Sequence, residues 1–539
     1  MSSQFDPPSL PARIAGMVGP GLLFSLAIGL FALLKLYALH PVAGDENIYF
    51  YLANRTAQGL FPYRDFVFTH PPLQIFLMAF LALISNGSFW VLKAAPAVFV
   101  LAIGLVLWGI SREKPFRDLL PGPYLRILPV LFFWFSYDTL RIASHYTGTN
   151  QATFFLLLGW WLYLRRRPAW AGACFAASMS TAVYIVPLVG LVVWWCQSLE
   201  GKKSIGDPRA LARIGIGGGV AILLIHLPVW IVAPGAWWEQ TVMYHARKPP
   251  IGSSFGDAFS QFLAAEGFQA AAALLVSISL SLGKKQRRVA RIALFGLIYI
   301  FIFVLLQRVY IYYFLPAFPF LALGSAIFLR DTWRRIIRST KPLINSATLG
   351  LGAALLIQPL FYWNIPSVRQ DPWKVTQFEF RPTPGIGPLN QPISWIFPSR
   401  RLDGLPAPGI LRYLWHENSF WEESGDLARE LDRTLPPAGT LYGDSTTAPL
   451  LAFLSQRRLA CELADTNTLH FRIGTRSVQA DLDCAKADRL SLLVVQPRAG
   501  INLVPEFNRF VTEEGVLWRE STAGKRQVKL YTWKPSPAD

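Results

Sequence analysis

The chain has 539 residues, 53% of them hydrophobic, and a mean hydropathy of +0.34, which excludes an ordinary soluble enzyme and a disordered chain. The net charge of +18 is unevenly distributed: residues 1–362 hold 30 Lys and Arg against 13 Asp and Glu, whereas residues 363–539 hold 21 against 20. Short basic loops between apolar segments orient membrane spans. The sequence has no basic repeat with interleaved aromatics, the pattern that would indicate a nucleic-acid partner. We therefore predict a polytopic α-helical membrane protein that does not bind nucleic acid.

Long apolar runs predict about eleven membrane spans. They extend from Arg13 to about Ala38 and then over about 88–110, 125–140, 149–164, 169–182, 184–198, 212–233, 266–282, 290–306, 312–330 and 345–363. A further run at 73–86 has only 14 residues, fewer than the roughly 20 needed to cross a bilayer. If it stays on the outer face, 22 of the 30 basic residues of 1–362 lie on the side of the N-terminus. The positive-inside rule then predicts a multi-pass membrane protein with a cytoplasmic N-terminus.

Three parts follow from this topology. Residues 1–363 form a membrane module with its first outer loop at 39–87, and residues 364–419 form a Pro-, Gly- and Trp-rich strap over the membrane surface. Residues 420–539 form an extracytoplasmic α/β domain, with expected helices at 420–434 and 447–456 and strands at 439–443, 458–463, 490–496 and 527–533. Cys461 and Cys484 lie in this domain, where a disulfide is permitted; whether they pair stays open.

The first outer loop contains a cluster of charged residues next to the membrane. Asp45 and Glu46 follow the first span by a few residues, and a carboxylate held at that depth can accept the proton of an attacking hydroxyl. The alternative is that either residue only caps the helix that begins at Asn47.

His70 precedes Pro71 and Pro72, which suit the first turn of a helix. A helix N-terminus beside a hydrogen-bonding side chain favours anion binding, although a surface histidine at a turn is an equally simple interpretation. Arg64 and Asp65 stand next to each other and can pair across the loop, which contributes little to stability at an exposed position.

The residues of 44–73 also carry a family resemblance. Asp-Glu is followed by Tyr, Ala and Gly, then by Pro-Tyr-Arg-Asp-Phe and His-Pro-Pro-Leu. This pattern resembles the first outer loop of the GT-C membrane glycosyltransferases, in the branch with protein O-mannosyltransferases, lipid A aminoarabinose transferases and relatives that use polyprenyl-phosphate sugars. The resemblance covers roughly 1–330, and the run at 310–319 resembles a further stretch of the family.

The resemblance implies an inverting sugar transfer. Asp45 would be the general base on the acceptor hydroxyl, with Glu46 beside it, and a polyprenyl phosphate would be the leaving group. A phosphate leaves as a stable anion, so cations aimed at it suffice. His70 stands where many relatives carry Lys, and Arg247 or Lys248 is a candidate for a second phosphate contact by placement. The full substrate-binding set is His70, Tyr63, Arg64, Asp65, His145, Asn150, Arg247, Lys248, Arg308 and Tyr310.

Asn150 departs from the family pattern, because relatives often carry an Asp at that place. An amide is a poorer ligand than a carboxylate for a hard cation, so we predict no metal and no cofactor besides the lipid-linked sugar donor. Asn150 can instead cap the helix that begins near Thr149.

The loop Gly443-Asp444-Ser445-Thr446 follows a predicted strand and opens a helix. It can hold an acceptor glycan, or it can be an ordinary N-cap. We expect the C-terminal domain to act as a lid or acceptor-docking domain.

We weighed three functions. The first is a transferase whose acceptor is a lipid, glycan or protein hydroxyl; the second is a transporter or flippase for a lipid-linked saccharide; the third is a glycan-binding scaffold with a degenerate loop. Transporters place ionisable residues within their spans, whereas here the carboxylates cluster in outer loops, with Asp138 as the main exception. The transferase is therefore preferred, but the sequence identifies neither the sugar nor the acceptor.

Overall fold

A computed structural model describes residues 10–36, 39, 41–143, 145–200, 207–247, 255–281, 287–305, 309–338, 401–402, 405–406, 421, 423–497, 500–523 and 526–533. The predicted span at 345–363, most of the strap at 364–419, Lys248 and Arg308 lie outside these residues. The helices of the first part are α1 (Leu10–Leu36), α2 (Glu46–Ala57), α3 (Pro72–Ile84), α4 (Phe89–Arg112), α5 (Phe116–Leu119), α6 (Pro123–Trp134), α7 (Tyr137–Ile142), α8 (Thr149–Leu164), α9 (Pro168–Met179), α10 (Val186–Glu200), α11 (Pro208–Val232), α12 (Pro234–Trp238), α13 (Tyr244–Ala246), α14 (Phe255–Ser281), α15 (Arg287–Ile302) and α16 (Phe318–Arg338).

Several of these helices are suited to a membrane. Within the described residues, Phe89–Arg112, Pro208–Val232 and Ile311–Arg334 are long and apolar enough to cross it, and the bent pair Phe255–Leu263 and Ala265–Ile278 would be a fourth span. Shorter apolar helices lie at Gly19–Lys35, Pro72–Ile84, Pro123–Trp134, Val183–Ser198 and Arg291–Ile302. The chain is therefore a helical membrane protein. Helices occupy the predicted spans within the described residues, while the count of eleven stays a prediction.

Helix α3 corresponds to the short apolar run of the first outer loop. Its 13 residues extend about 20 Å at 1.5 Å per residue, less than the roughly 30 Å of a bilayer core. Phe80, Leu83 and Ile84 on this helix are exposed, as expected of side chains that face lipid. A juxtamembrane helix on the outer face remains the prediction for this segment.

Helices α9 and α11 pack backbone against backbone. A Cβ atom on Gly172 would lie 2.0 Å from the carbonyl oxygen of Ile214, and one on Gly217 would lie 1.9 Å from that of Ala169. Only glycine therefore fits at either position. Small residues of this kind allow close helix packing inside membranes, where the hydrophobic effect does not drive helices together.

The C-terminal part contains a four-stranded sheet. Its elements are α17 (Ser424–Thr434), β3 (Thr440–Gly443), α18 (Ala448–Leu454), α19 (Thr468–Arg472), α20 (Val478–Ala487), β4 (Leu490–Val495), α21 (Pro505–Glu514), β5 (Gly515–Ala523) and β6 (Arg526–Trp533), preceded by the two-residue strands β1 (Arg401–Leu402) and β2 (Leu405–Pro406). The strand order is β3-β4-β6-β5, with β3 and β4 parallel and the other pairs antiparallel. The α/β pattern predicted for this part is present, although β5 was not predicted.

The strand predicted at 458–463 is wrong. The segment forms only an isolated bridge from Leu459 to Leu441 and then a 3₁₀ turn. Cys461 and Glu462 adopt left-handed backbone conformations, with φ of 50° and 55°, which an extended strand does not permit. Cys461 forms a disulfide with Cys484, so the pairing that the sequence left open is present.

The C-terminal part packs directly on the first outer loop. The Gly44 N–H donates to the Thr446 carbonyl at 3.2 Å, and the Trp421 N–H donates to the Pro41 carbonyl at 3.0 Å. A shared apolar cluster joins the two parts, with Ile48, Phe50, Phe89, Leu450 and Phe453 among its members. The beginning of α2 therefore lies at the junction between the outer loop and the C-terminal part.

Candidate active site

Asp45 immediately precedes α2, and its side chain is exposed. It makes no capping hydrogen bond to the helix, so the capping interpretation is wrong for this side chain. Backbone contacts define the turn instead, because the Ile48 N–H donates to the Asp45 carbonyl at 3.1 Å. The carboxylate is thus held at a fixed place and is accessible to a ligand.

The carboxyl of Asp45 titrates above its usual range. Although solvent reaches it, the surrounding protein desolvates the group and raises its pKa. The charges of Asp465 and Asp444 raise this pKa further, whereas those of His145 and Arg526 lower it. Asp45 is therefore more basic than an ordinary aspartate.

Glu46 lies in the opposite environment. Its side chain is fully buried and forms an ion pair with Lys93 of α4. Its Oε2 lies 3.4 Å from His145 Nδ1 and accepts a hydrogen bond from the Tyr146 N–H at 3.3 Å. Burial alone would raise the pKa of Glu46, but Lys93 and His145 outweigh burial and lower it to about 2. Glu46 is a permanent anion beneath the loop.

His70 lies at the start of α3, beside the same surface. Its Nε2 is 2.8 Å from the Tyr49 hydroxyl, and its carbonyl accepts a hydrogen bond from the Tyr63 hydroxyl at 2.6 Å. His245 bonds to the Thr69 carbonyl at 2.7 Å, and its ring centroid lies 6.0 Å from that of His70. His70 is thus fixed by neighbouring groups and is not a free surface histidine.

Tyrosines from the turn before α16 form another wall. The rings of Tyr310 and Tyr312 stack with centroids 5.3 Å apart, and Tyr312 lies 6.2 Å from His145. Tyr310 and His145 are both half-buried. These two predicted substrate-binding residues therefore line the same region as Asp45.

Asn150 lies beneath the region lined by Asp45, His145 and Tyr310 and does not face it. Its side chain is fully buried, and its amide donates to the carbonyls of Pro96 at 3.3 Å and His145 at 3.5 Å. The residue that precedes α8 is Gly148, so Asn150 does not cap this helix. It supports the turn that carries His145.

The remaining predicted charges that lie within the described residues are paired with each other or with neighbours. Arg64 and Asp65 form an ion pair at 2.7 Å, as the simpler interpretation predicted, and Asp65 also accepts a hydrogen bond from the Phe61 N–H at 2.6 Å. Arg247 pairs with Glu239 at 3.0 Å, and both side chains are about half exposed. Arg247 therefore lies on the surface of its loop.

The sequence analysis missed several groups that the C-terminal part contributes. Asp465 lies close enough to Asp45 for its charge to raise the pKa of Asp45, and it pairs with His470 at 3.1 Å. The pKa of Asp465 is lowered to about 2, because the interaction with His470 outweighs burial. The His470 ring stacks on Tyr244 with centroids 4.6 Å apart. No local motif marks these residues, which reach the site only through tertiary folding.

Asp444, in contrast, was marked by its motif. Its Oδ1 accepts hydrogen bonds from the Thr446 N–H at 2.9 Å and from the Gln496 amide at 3.0 Å. The loop that it organises places the Thr446 carbonyl against Gly44 and Asn47. Asp444 therefore braces the Asp45 turn as well as its own loop.

Among the described residues, no group of three or more His, Cys, Asp or Glu side chains is arranged to hold a metal ion. Asp138, the exception noted above, is not part of such a group. Its backbone N–H donates to Glu266 Oε1 at 3.1 Å, and Gln269 donates to Glu266 Oε2 at 2.9 Å. These contacts join α7 to α14. Metal independence stays a prediction.

Comparisons with known proteins identify the fold. No family model and no characterised relative matches the sequence, but solved structures do. The crystal structure of apo ArnT from Cupriavidus metallidurans superposes with a TM-score of 0.60 at 14% identity, over 95% of this chain and 99% of ArnT. This chain has the ArnT fold. The GT-C resemblance drawn from residues 44–73 is thereby confirmed at the level of the fold.

Two further structures are similar. ArnT bound to undecaprenyl phosphate matches with a TM-score of 0.58 at 12% identity, again over 95% of this chain and 99% of that chain. The mycobacterial arabinofuranosyltransferase AftD matches at 0.47 and 15% identity, over 95% of this chain and 40% of its own. Both ArnT matches cover 95% of this chain.

Proposed function

We propose that this protein transfers a sugar from a polyprenyl-phosphate donor to an acceptor hydroxyl at the outer face of the inner membrane. The observation that carries the proposal is Asp45, an uncapped and accessible carboxylate of raised pKa, placed in an ArnT fold. The ArnT structure with undecaprenyl phosphate supports a lipid phosphate as the donor's carrier. The structures that match this fold give no support to the transporter alternative.

The chemistry follows from the position of Asp45. The acceptor oxygen attacks the anomeric carbon while the bond from that carbon to the phosphate oxygen breaks. The hydroxyl proton passes to Asp45, and the polyprenyl phosphate leaves as an anion. A base whose pKa is raised toward the working pH accepts a proton more readily in the transition state. Attack opposite the leaving group inverts the anomeric centre.

Glu46 serves a positioning role in this proposal. Its full burial keeps it from touching substrate, but it holds the His145 ring and the Tyr146 backbone on one side and Lys93 on the other. His145 then lies beside Asp45. Its charge lowers the pKa of Asp45 and so partly offsets the effect of the neighbouring carboxylates on that pKa.

The donor phosphate would lie at His70, whose hydrogen-bonding ring is oriented by Tyr49. The start of α3 itself contributes no free N–H group from Pro71 to Leu73, because Pro71 and Pro72 have none and the Leu73 N–H donates to the Ser180 carbonyl at 3.1 Å. Tyr310 and the His145 ring complete the wall on the opposite side. Cations and donors aimed at the departing phosphate stabilise its charge, so no general acid is required.

The topology belongs to the same proposal. An inner-membrane protein with a cytoplasmic N-terminus, about eleven spans and an extracytoplasmic C-terminal domain would place Asp45 at the outer face. The Cys461–Cys484 disulfide supports this arrangement, because such bonds persist in oxidising compartments.

The test is transfer of radiolabelled sugar from a panel of polyprenyl-phosphate sugars by the purified full chain in lipid nanodiscs. We expect Asp45→Asn to lower the transfer rate by about 100- to 10,000-fold, the usual contribution of a general base. Asp426→Asn is the matched control, because Asp426 is an exposed carboxylate of α17 that pairs only with the exposed Arg429 among the ion pairs of the described residues, and it should transfer at the native rate. Equal transfer by Asp45→Asn and the native chain would refute the base and favour the scaffold alternative.

A further inference from the structure

A pocket of about 220 Å³ opens between the first outer loop and the C-terminal part. Its walls are the outer-loop turn from Tyr63 to Val67, Gln240, the segment from Cys461 to Asp465, and Arg476. We propose that this pocket, called the junction pocket here, binds a neutral saccharide unit of the acceptor. The assignment rests on the proposed function, since it names the substrate class that meets Asp45.

The outer-loop wall is held in a conformation that its sequence does not favour. Tyr63 has a φ of 69°, which is rare for a residue other than glycine and indicates a position fixed by its surroundings. Its N–H donates to the Phe66 carbonyl at 3.1 Å, and its carbonyl accepts from the Gln240 amide at 3.0 Å. Gln240 also accepts from the Phe68 N–H at 2.9 Å. This wall is therefore preformed.

The opposite wall is equally fixed. Glu462 receives hydrogen bonds from the Tyr51 hydroxyl at 2.7 Å and from Arg55 at 2.7 and 3.0 Å. Cys461 is tied to Cys484 by the disulfide, and its N–H donates to Asp488 at 2.7 Å. Two chain segments about 400 residues apart thus meet in defined positions. A preformed site loses less conformational freedom when a ligand binds.

The charges of the lining favour a neutral ligand. Three carboxylates (Asp65, Glu462 and Asp465) and two guanidinium groups (Arg64 and Arg476) line the junction pocket. Each has an ionic partner within the protein, as the pairs Arg64–Asp65, Arg55–Glu462, His470–Asp465 and Arg476–Asp481 show. An anion would find no unpaired cation among these lining groups. Hydroxyl groups, which both donate and accept, can instead bond to carboxylates and guanidiniums alike.

The size and composition fit one sugar ring. The volume is below the roughly 300–1,000 Å³ of clefts that enclose drug-sized ligands, so a single ring fits better than a chain. Phe66 and Tyr63 supply apolar surface beside the polar groups, as the apolar and polar faces of a sugar require. An acyl chain would have to desolvate the charged lining without replacing its hydrogen bonds.

The junction pocket adjoins the candidate active site. Asp465 lines the pocket and also acts on the charge of Asp45. On the other wall, Tyr63 donates to the carbonyl of His70, whose ring bonds to Tyr49. The junction pocket therefore shares Asp465 with the surroundings of the proposed base.

Saturation-transfer NMR on the full chain in nanodiscs tests the site directly. The probes are D-glucose, D-galactose and D-mannose as neutral sugars, with D-glucuronate and inorganic phosphate as anions. We expect saturable binding of a neutral sugar at millimolar concentration and at least tenfold weaker binding of the anions. Val67→Trp, which places a large ring in the pocket, should weaken neutral-sugar binding at least tenfold.

A second pocket variant and a control variant complete this experiment. Arg64→Ala removes a lining group that is more than half exposed, so it should fold normally and weaken sugar binding several-fold. Leu517→Trp, on the exposed edge strand β5, is the matched control and should bind as the native chain does. No saturable sugar binding, native-like binding by both pocket variants, or tighter binding of an anion would overturn the assignment.

The transfer assay separates the two proposals. If the native chain transfers sugar, Val67→Trp should raise the KM for the acceptor at least tenfold and leave the KM for the donor unchanged. An unchanged acceptor KM would overturn the junction pocket and keep the transferase. Failure of the native chain to consume any donor would overturn the transferase, while the NMR result would still report on sugar binding.

Discussion

Adjacent carboxylates in this chain have opposite electrostatic environments. Asp45 is accessible and its pKa is raised, whereas Glu46 is fully buried, paired with Lys93, and has its pKa lowered to about 2. Pairs of titratable groups whose pKa values are pushed apart are typical of sites that use one as a base and the other as a fixed charge. The sequence predicted both as candidate site residues, but the difference between their pKa values depends on residues about 50 to 420 positions away.

The raised pKa predicts the pH dependence of transfer. Asp45 must be deprotonated to act as a base, so activity should rise with pH through the pKa of Asp45 and be lost below it. Asp465 is ionised above about pH 2 and raises that pKa. Asp465→Asn should therefore move the acid limb of the rate profile to lower pH, whatever it does to the maximal rate.

The measurement is the pH profile of sugar transfer for the native chain, Asp465→Asn and Asp432→Asn. Asp432 is an exposed carboxylate of α17 and provides the control, whose acid limb should coincide with the native one. An acid limb that stays in place or moves upward in Asp465→Asn would contradict a base near Asp465.

Helix α2 connects the candidate site to the C-terminal part. Its first turn carries Glu46, and its later turns carry Tyr51 and Arg55, which bond to Glu462. Because a helix is rigid over its length, α2 fixes the position of the candidate site relative to the C-terminal part. The docking of the C-terminal part therefore helps to fix the geometry around Asp45.

Removal of the Arg55–Glu462 ion pair should loosen the junction between the outer loop and the C-terminal part. Arg55→Gln deletes the ion pair with Glu462, whose side chain is only 7% exposed. Hydrogen bonds to charged groups contribute about 1.5–3 kcal/mol, and we expect a loss of that size in the local stability of the junction. Hydrogen exchange of the Gly44 and Leu459 amides in the full chain would measure it.

Arg519→Gln is the control for that change. It deletes the Arg519–Glu430 pair, in which both side chains are well exposed, and exposed pairs contribute about 0–1 kcal/mol. Exchange at Gly44 and Leu459 should then match the native chain. Equal protection in Arg55→Gln and the native chain would show that the Glu462 contact does not stabilise the junction.

Element prediction succeeded where the signal was local. Apolar runs marked the helices, short buried runs marked β3 and β4, and alternation marked β6, because each pattern reflects burial along one segment. The segment 458–463 has apolar residues at strand spacing, but Glu462 turns toward Arg55 and Cys461 toward Cys484. Arg55 and Cys484 lie elsewhere in the chain, so the local sequence pattern does not predict the resulting left-handed turn.

At the scale of the whole molecule, the candidate site joins the two ends of the sequence. Asp45 comes from the first outer loop, Asp465 and Asp444 from the C-terminal part, and Tyr310 from a late outer turn. The sequence predicted Asp45, His70, His145 and Tyr310 by motif and placement, and these lie in one region. It did not predict Asp465 or the junction pocket, since a pocket between distant segments depends on their packing.

The proposed topology can be tested through the cysteines. The structure pairs Cys461 with Cys484 and leaves Cys174 and Cys196 as thiols. An extracytoplasmic C-terminal domain would keep that disulfide oxidised in cells. Protein denatured without reduction should then take up two maleimide-polyethylene glycol labels, and four after reduction.

Cys461→Ser provides the matched control for the labelling. It frees Cys484, so this variant should take up three labels with or without reduction. Four labels on the native chain without reduction would contradict an extracytoplasmic C-terminal domain.

The Lys93–Glu46 pair has a consequence for how the protein is made. Lys93 lies near the N-terminal end of a helix that is apolar enough to cross the membrane, and a lysine without a counter-charge opposes insertion of such a helix. The neutralising carboxylate of Glu46 comes from the first outer loop. Insertion of this helix is therefore coupled to folding of the outer loop against it.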